Sequence, residues 1–476
     1  MRGVARHPDN ARMAPPTPAR LRALLGMLET GLLERQAAVR LTLLAALAGE
    51  HVLLIGPPGT AKSELARRLH RAFDGARYFE RLLTRFSTPE ELFGPLSLKA
   101  LEDDRYERLT DGFLPTAGIA FLDEVFKANS AILNALLTLL NEREFDNGSG
   151  RHRTPLISVV GASNEVPCDE ALQAFFDRFL VRVPVHPVGD ASFAALLRLK
   201  TEDAAYVEPL TAAERHGVAE AARVVALGEA AQAACQALRE WLAAQRLPLS
   251  DRRWRQWIGL MRVAAATEGR REIDTLDLWL AAYVASATPE DVPRLAAWFE
   301  AELIGAVAQE APWLTHAVCA FEKQLEIEQS ARDDPDAANA AGKLALARAI
   351  GGSDDDGRSL LRIVSSTLED RLRRHYSPVH IEARLAQVDE IIAQAREQHD
   401  AAAGREQQLA RRLQGRLWLP PELAQRMLDT HARTRAVLSD LVMRLELTRQ
   451  GFAALPVDAQ LDAVKPDPVP LEAAHA

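Results

Sequence analysis

Short apolar runs alternate with amphipathic segments through the first 190 residues of the chain. Four runs have the continuous apolar character of buried strands: HVLLI (51–55), IAFLDE (119–124), LISVVGASN (156–164) and FLVRV (179–183). After the first run, Leu65, Leu69 and Phe73 recur at helical spacing. Buried strands separated by helices are typical of an α/β fold with a parallel sheet, which we predict for residues 21–189.

Strand-like runs disappear after residue 190, and helical periodicity replaces them. The clearest helix begins after Ser250, a suitable N-cap, and places Trp254, Trp257 and Met261 on one face. Residues 190–290 are therefore predicted to be all-α.

Residues 291–476 are also predicted to be helical. Apolar residues are spaced alternately by three and four positions along Ile381–Ile392, and similarly along Leu423–Leu445. We expect two long antiparallel helices there, packed on each other or on a partner. Exposed breaks are expected at 331–342 and 351–357, and the acidic residues of the second break lack the ligand spacing of a calcium loop.

Composition narrows the classes of function. Leucine and alanine are prominent among the 48% hydrophobic residues, which favours a sizeable and mainly helical core. The net charge of −9 disfavours a protein whose main task is to grip nucleic acid. Three widely spaced cysteines suggest free thiols in a reducing compartment, and hence a cytoplasmic protein. The sequence predicts neither a membrane helix nor a secretory signal, and the basic, proline-rich residues 1–20 are expected to be a disordered head.

The segment GPPGTAKS (56–63) follows the first strand and opens a helix. In a loop of the pattern G-x-x-x-x-G-K-[ST], backbone N–H groups surround the phosphates of a nucleotide, the lysine reaches the β- and γ-phosphates, and the hydroxyl coordinates Mg²⁺. Lys62 and Ser63 fit this pattern, but Ala61 stands where the last glycine is expected. We expect Ala61 to have a negative φ at the helix entry, so that its methyl group narrows the loop without abolishing binding.

Polar residues end the second and third strands. Asp123 and Glu124 follow the second strand, where an aspartate can hold Mg²⁺ and a glutamate can polarise the attacking water. Asn164 ends the third strand, where it can sense the γ-phosphate. Each match is weak alone, because acids often end buried strands and Asn164 by itself suits a turn. In one domain with the loop, they predict a site for ATP.

These motifs resemble those of the AAA+ ATPases, and among them the MoxR family. The resemblance spans roughly residues 25–290 and rests on GPPGTAKS, FLDEVFKANSAILNALLTLLNERE, VVGASNEVP, FFDRFLVRVPV and SDRRW. The alanine of the loop, RFSTPEELFGPLSL (85–98) and LLTLLNEREFDNG are similar to the RavA-like (regulatory ATPase variant A) branch. The resemblance implies that a loop with Ala61 still binds the nucleotide.

By this resemblance the loop is a Walker A motif, and the second strand ends in a Walker B motif. The implied ligands of Mg²⁺ are Ser63 and Asp123. The implied catalytic residues include Glu124 and, as sensor 1, Asn164. The residues implied to bind ATP or ADP in the loop are Gly56, Pro57, Pro58, Gly59, Thr60, Ala61, Lys62, Ser63 and Glu64.

Two arginines complete the implied site. Arg178 matches the family's catalytic arginine finger, which acts on ATP in the neighbouring subunit, although a surface ion pair would also explain it. Arg252 matches the nucleotide-binding sensor 2 of the lid, with Arg253 as the adjacent alternative. The run DRRWRQW could suggest nucleic-acid binding, but the apolar face shared by Trp254 and Trp257 favours packing in the core.

The family also carries two projections that match segments of this chain. Residues 85–111 resemble an insert that interrupts helix 2, and residues 142–155 resemble the hairpin before sensor 1, with its turn at Asp146–Gly148. The complete prediction is a disordered head (1–20), an AAA+ αβα core (21–189), an all-α lid (190–290) and a helical C-terminal domain (291–476) that binds a partner or braces the ring.

The resemblance implies Mg²⁺-dependent ATP hydrolysis in a homo-oligomeric ring, with a hexamer favoured. Hydrolysis would drive chaperone-like remodelling or maturation of a protein complex. A partner with a von Willebrand factor A (vWA) domain is implied by analogy, beside an unidentified client protein. Two alternatives stay open, a nucleic-acid remodelling motor and the motor subunit of a metal chelatase. We expect no membrane insertion, and the net charge disfavours a nucleic-acid partner.

Overall fold

The computed structural model describes residues 14–148, 150–167, 169–199, 205–305, 311–331 and 374–471. The predicted breaks at 331–342 and 351–357 lie outside these ranges except for Ala331, and so do residues 1–13 of the predicted disordered head. The chain divides into two compact units. The first contains residues 1–305 and 413–425, and the second contains residues 306–412 and 426–476.

The strands are β1 (Val52–Ile55), β2 (Tyr78–Leu82), β3 (Ile119–Asp123), β4 (Glu144–Asp146), β5 (Arg151–Arg153), β6 (Ser158–Ser163), β7 (Val181–Pro184), β8 (Ala226–Leu227) and β9 (Glu272–Ile273). The helices of the first unit are α1 (Pro18–Glu29), α2 (Gln36–Ala48), α3 (Lys62–His70), α4 (Pro89–Phe93), α5 (Leu98–Glu102), α6 (Ser130–Glu142), α7 (Glu170–Phe176), α8 (Asp190–Leu197), α9 (Ala212–Arg223), α10 (Glu229–Ala244), α11 (Asp251–Thr267), α12 (Ala281–Val284) and α13 (Asp291–Trp298). Those of the second unit are α14 (Pro312–Ser330), α15 (Pro378–Leu413) and α16 (Pro421–Ala453).

A five-stranded parallel sheet forms the centre of the first unit, with the order β2-β3-β6-β1-β7. The predicted α/β fold is therefore confirmed, and β1, β3, β6 and β7 lie within or overlap the four predicted runs. The sequence analysis missed β2. This strand lies at the sheet edge, and only Phe79 of its five residues is buried, so it lacks the continuous apolar run of a central strand.

The folded part of the chain starts before the predicted boundary at Leu21. Helix α1 begins at Pro18, and the hydroxyl of Thr17 accepts a hydrogen bond from the backbone N–H of Arg20. A threonine cap followed by proline in the first turn is a strong helix start, and it sets the beginning of α1.

The two predicted projections pack on each other. The segment between β2 and β3 contains α4 and α5, and β4 pairs with β5 as an antiparallel hairpin, as predicted. The Asn147 side chain accepts from the backbone N–H of Arg108 (2.7 Å) and donates to its carbonyl oxygen (3.2 Å). At Gly148 (φ +72°), a Cβ atom would lie 1.5 Å from the carbonyl oxygen of Tyr106. The Asn-Gly turn therefore fits against the insert as well as closing the hairpin.

The predicted lid region is helical, but it is not all-α. β8 pairs with β9 in a two-residue parallel ladder, too short to leave a periodic signal in the sequence. The first unit extends to Gly305, because Leu295 and Trp298 of α13 are buried.

The connection between α15 and α16, together with the last residue of α15 and the first five residues of α16 (residues 413–425), also belongs to the first unit. Trp418 is 1% exposed, and its indole N–H donates to the hydroxyl of Thr267 at 2.8 Å. The guanidinium of Arg416 pairs with the carboxylates of Asp274, Asp277 and Glu268. We call residues 413–425 the tip segment. Nothing in the apolar periodicity predicted this docking.

The second unit contains the two long helices that the seams predicted. Leu438, Leu441 and Leu445 of α16 share a core with Val388 and Ile392 of α15. Ion pairs join Asp389 to Arg449, Arg396 to Glu446 and Glu406 to Arg435. Along these pairs the residue number increases in α15 while it decreases in α16, so the two helices are antiparallel.

Candidate functional site

The predicted phosphate-binding loop joins β1 to α3 at the carboxyl edge of the sheet. At Gly56, a Cβ atom would lie 2.0 Å from the carbonyl oxygen of Val185, and Gly59 has a φ of +81°. Both positions therefore require glycine. The Nζ of Lys62 donates to the carbonyl oxygens of Gly56 (2.6 Å) and Pro57 (2.9 Å), so its ammonium lies inside the curve of the loop.

The loop is electrostatically coupled to the acids at the end of β3. Burial lowers the pKa of Lys62, while the carboxylates of Asp123 and Glu124 act against that shift. Lys62 is only 7% exposed. The sequence analysis placed these three groups in one site, and the structure brings them together.

The prediction for the backbone of Ala61 was wrong. Ala61 has φ +65° and ψ +26°, which is the left-handed conformation, and it precedes α3 as its N-cap residue. The loop must reverse direction here before the helix starts, and the methyl group does not prevent it. For an L-residue with a Cβ atom, this conformation costs about 1 kcal/mol relative to a helical φ and ψ.

The remaining loop residues have mixed environments. The hydroxyl of Thr60 donates to the carbonyl oxygen of Pro57 at 3.0 Å, which tightens the turn. Ser63 is the second residue of α3 and is half-buried. The carboxylate of Glu64 pairs with Arg68 at 2.8 Å, one helical turn on. Pro58 is exposed.

Asn164 and Glu124 meet directly at the same edge of the sheet. The amide of Asn164 donates to Oε1 of Glu124, and Nζ of Lys127 lies 3.3 Å from that oxygen. The backbone N–H of Glu124 donates to Oδ1 of Asp123 at 3.0 Å. Glu124 has a φ of +51°, which turns the chain sharply after β3. β6 lies between β1 and β3, so these groups flank the loop.

The donors at this edge suit Mg²⁺. The hydroxyl of Ser63 and the carboxylate of Asp123 are hard oxygen ligands, and Mg²⁺ is usually held by one or two protein groups together with substrate phosphates and water. Among the described residues there is no cluster of three or more His, Cys, Asp or Glu side chains that could hold a metal without such phosphates. Mg²⁺ therefore fits this edge as a companion of a bound nucleotide.

The sequence analysis missed Arg35, which forms a hydrogen bond to the backbone of the phosphate-binding loop. Arg35 is 6% exposed, and its guanidinium donates to the carbonyl oxygens of Thr60 (3.2 Å) and His186 (2.6 Å). It therefore ties the loop to the chain that follows β7. Arg35 precedes α2 in an ordinary polar stretch, and no motif distinguishes it there.

Arg178 and Arg252 lie at the opposite, amino edge of the sheet. Arg178 comes three residues before β7, which runs parallel to β1. Arg252 donates to Asn141 at 3.0 Å, near the end of α6, the helix that returns from the carboxyl edge. The four residues of β1 separate the two edges by about 13 Å. Neither arginine is therefore brought to the loop of its own chain.

Arg253, the alternative for sensor 2, is buried and hydrogen-bonded within its own subunit. It is 3% exposed, and its guanidinium donates to the carbonyl oxygens of Phe179 (3.1 Å) and Leu180 (2.9 Å). It also lies 3.3 Å from Oδ1 of Asp177. Arg252, by contrast, is exposed. Trp257 of the same helix is fully buried, which confirms packing in the core for that residue.

A parallel sheet of this order, a phosphate-binding loop after its central strand and an acid pair on a neighbouring strand define a P-loop nucleotide-binding protein. Residues 19–217 match the family described as the MoxR domain in the MoxR-vWA-beta-propeller ternary systems, and residues 233–299 match an AAA lid domain. The chain belongs to the MoxR family of AAA+ ATPases.

Three relatives illustrate the match. The uncharacterized protein MJ0079 of Methanocaldococcus jannaschii is 44% identical over a match that covers 52% of this chain and 64% of MJ0079. The uncharacterized protein MJ0812 of the same organism is 41% identical over a match that covers 54% of this chain and 69% of MJ0812. The protein MoxR of Paracoccus denitrificans is 31% identical over 35% of this chain and half of its own length. The chain thus spans about two thirds or less of the length of these relatives. In the described residues, no helix has the length and hydropathy needed to cross a membrane.

Proposed function

We propose that this protein is a Mg²⁺-dependent ATPase that works as a ring, most simply a hexamer, and that it uses hydrolysis to remodel or mature a protein complex. The observation that carries the proposal is the contact between Asn164 and Glu124 beside the loop that holds Lys62. In the proposed function, this contact would join the carboxylate that polarises water to the side chain that senses the γ-phosphate.

Each residue of the carboxyl edge has a role in this proposal. The backbone N–H groups of the loop surround the phosphates of ATP, and Lys62 exchanges its two carbonyl partners for phosphate oxygens. Mg²⁺, held by Ser63 and Asp123, would offset the negative charge on the phosphates. Glu124 orients the attacking water, and Asn164 fixes the carboxylate of Glu124.

The arginines at the amino edge support a shared site. Arg178 and Arg252 lie about 13 Å or more from the loop of their own chain, which is too far for contact with its nucleotide. Among the described residues, Nε of Arg178 is buried and has no hydrogen-bond partner. In a head-to-tail ring the amino edge of one subunit can face the carboxyl edge of the next, and both arginines would then act on the neighbour's ATP.

The proposal also covers partners and location. The matched family is described in MoxR-vWA-beta-propeller ternary systems, which supports a vWA-domain partner by analogy. We also propose that the protein belongs to the RavA-like branch of the MoxR family. A cytoplasmic location is proposed from the spacing of the cysteines. We keep the division into core, lid and C-terminal domain, with the tip segment assigned to the unit that contains the lid.

Nucleotide binding and phosphate release, measured on the full chain with Mg²⁺, test this function. Lys62→Ala should weaken ATP binding by about 10- to 100-fold, because an ammonium in contact with phosphate is worth about 1.5–3 kcal/mol. The matched control is Lys323→Ala, which removes an exposed lysine of α14 and should change neither quantity. Equal ATP affinity in the parent and Lys62→Ala would refute the proposed site.

A further inference from the structure

A cavity of about 490 Å³ lies away from the phosphate-binding loop. Its walls are the turn before β2, the chain before β3, the hairpin strand β5 and the first turn of α9. Three arginines from separate segments line it, namely Arg77, Arg153 and Arg215. Asp74 is the one carboxylate among the lining residues. The cavity is thus positively charged in a chain whose net charge is −9.

Arg215 is the least solvated of these arginines. Its Nε is buried and has no hydrogen-bond partner among the described residues, and its guanidinium lies 5.8 Å from the ring centre of Phe73. Burial lowers the pKa of Arg215, and no carboxylate in the described part of the chain acts against that shift. A partly buried guanidinium without a counter-ion is costly, so an anion in the cavity would compensate it.

The other two arginines are accessible to a ligand. The guanidinium of Arg77 pairs with Asp111 at 2.5 Å, but both side chains are well exposed, and such a surface pair is weak and easily exchanged. Arg153 is exposed and has no ion-pair partner among the residues that the structure describes. The cavity is therefore lined by two exposed guanidinium groups and one partly buried guanidinium group.

We propose that this cavity binds the phosphate group of a small molecule. Planar guanidinium groups form paired hydrogen bonds with phosphate oxygens, and clustered arginines are a common solution for recognising phosphate. A cavity of this volume is within the range of small-molecule sites, and Phe145, Pro115 and Pro155 supply apolar wall for a ring or chain attached to the phosphate.

The position of the cavity gives such a ligand a structural consequence. Phe145 and Asn147 belong to the hairpin, and Thr110 belongs to the insert that packs on it. A ligand held between them would brace both projections. This site does not depend on ATP hydrolysis and can exist whether or not the proposed function is correct.

The test is isothermal titration calorimetry on the full chain carrying Lys62→Ala, which removes the main cation of the phosphate-binding loop. Inorganic phosphate, pyrophosphate and AMP are titrated separately at fixed ionic strength, because charge interactions are screened by salt. At least one of them should bind. Tighter binding of AMP than of the two inorganic ions would identify a nucleotide as the source of the phosphate, and the reverse order would identify an inorganic one.

Adding Arg215→Gln or Arg153→Gln should weaken that binding at least tenfold. Arg153 is exposed, so its variant should remain folded even if Arg215→Gln does not. The matched control is Arg223→Gln, which removes an exposed arginine of the same helix as Arg215, outside the cavity. The proposal is overturned if none of the three compounds binds, or if both cavity variants bind as the control does.

Discussion

The side-chain amide of Asn164 donates a hydrogen bond to Oε1 of Glu124, which links the end of β6 to the end of β3. We predict that Asn164→Ala lowers the rate of ATP hydrolysis at least tenfold and changes ATP affinity little, because it frees the carboxylate that orients water. Steady-state phosphate release and equilibrium binding separate the two effects.

The double variant with Glu124→Gln is the control for this prediction. Glu124→Gln alone should keep ATP bound and reduce turnover at least 100-fold. If Asn164 acts through Glu124, the double variant is no slower than Glu124→Gln, since residues of one unit are not additive. If the fold-reduction in hydrolysis rate of the double variant equals the product of the two single reductions, Asn164 acts independently of Glu124.

The left-handed backbone of Ala61 predicts the effect of restoring a glycine. Ala61→Gly should raise the free energy of unfolding by up to about 1 kcal/mol, because relief of strain exceeds the added entropy of the unfolded chain. ATP affinity should change less than about threefold, since the backbone N–H groups keep their positions. Chemical denaturation measures the first quantity.

Ala219→Gly serves as the comparison for Ala61→Gly. Ala219 is exposed in the interior of α9, where glycine costs about 1 kcal/mol. The two substitutions should therefore shift stability in opposite directions. A loss of stability in both would contradict the strain assigned to Ala61.

Glu50, which precedes β1, predicts a pH dependence of stability. Burial raises the pKa of Glu50 to about 7, although Arg143 and Arg252, a hydrogen bond from Gln256, and Arg253 all lower it. A carboxyl whose folded pKa exceeds its unfolded value contributes stability below the unfolded pKa, and this contribution is lost as the pH rises through 7. The neighbouring His51 stays neutral, because burial lowers its pKa to about 3.

Glu50→Gln removes this titration while it keeps the shape of the protonated carboxyl. The stabilisation by Glu50→Gln should be about 1–2 kcal/mol larger at pH 8 than at pH 5.5. Thermal unfolding at the two pH values measures it, with Glu102→Gln, an exposed residue of the insert, as the control. A stabilisation independent of pH would contradict the raised pKa.

Because the tip segment packs within the first unit, we predict that removing its contacts lowers the stability of that unit. Trp418→Ala should destabilise that unit by about 3–5 kcal/mol, because it empties a buried aromatic site and leaves the hydroxyl of Thr267 without its donor. Trp418→Phe keeps most of the packing and should cost about 1–2 kcal/mol. Hydrogen exchange of α11 reports the local effect, and equal protection in the parent and Trp418→Ala would show that the segment is not docked.

The central strands and the carboxyl edge of the site could be predicted from the sequence. Continuous apolar runs mark β1, β3 and β6 because both faces of a parallel sheet are covered, and the residues just after each run must meet at one edge. Lys62, Glu124 and Asn164 all come after such runs, and the sequence analysis assigned them to one site because their motifs occur in one domain. The edge strand β2 could not be found in this way, since half of it faces solvent.

Tertiary contacts account for the other differences. Arg35 acts through two backbone carbonyls that are distant from it in sequence, those of Thr60 and His186. The docking of Trp418 likewise joins residues about 150 positions apart. Local propensity and periodicity contain no information about such contacts.

The central claim is that the ATP site is shared between neighbouring subunits, and it is tested by mixing two inactive variants of the full chain. Arg178→Ala subunits keep an intact loop and Glu124, and Glu124→Gln subunits keep Arg178. In randomly mixed rings, about a quarter of the interfaces would regain both groups. Mixing Lys62→Ala with Glu124→Gln is the control, because both changes damage the same half of the site.

We predict that the first mixture hydrolyses ATP well above either variant alone, while the control mixture does not. Native mass spectrometry verifies that the subunits have mixed. If mixed rings of Arg178→Ala and Glu124→Gln show no recovered activity, Arg178 does not act on the ATP of a neighbouring subunit and the shared site is wrong.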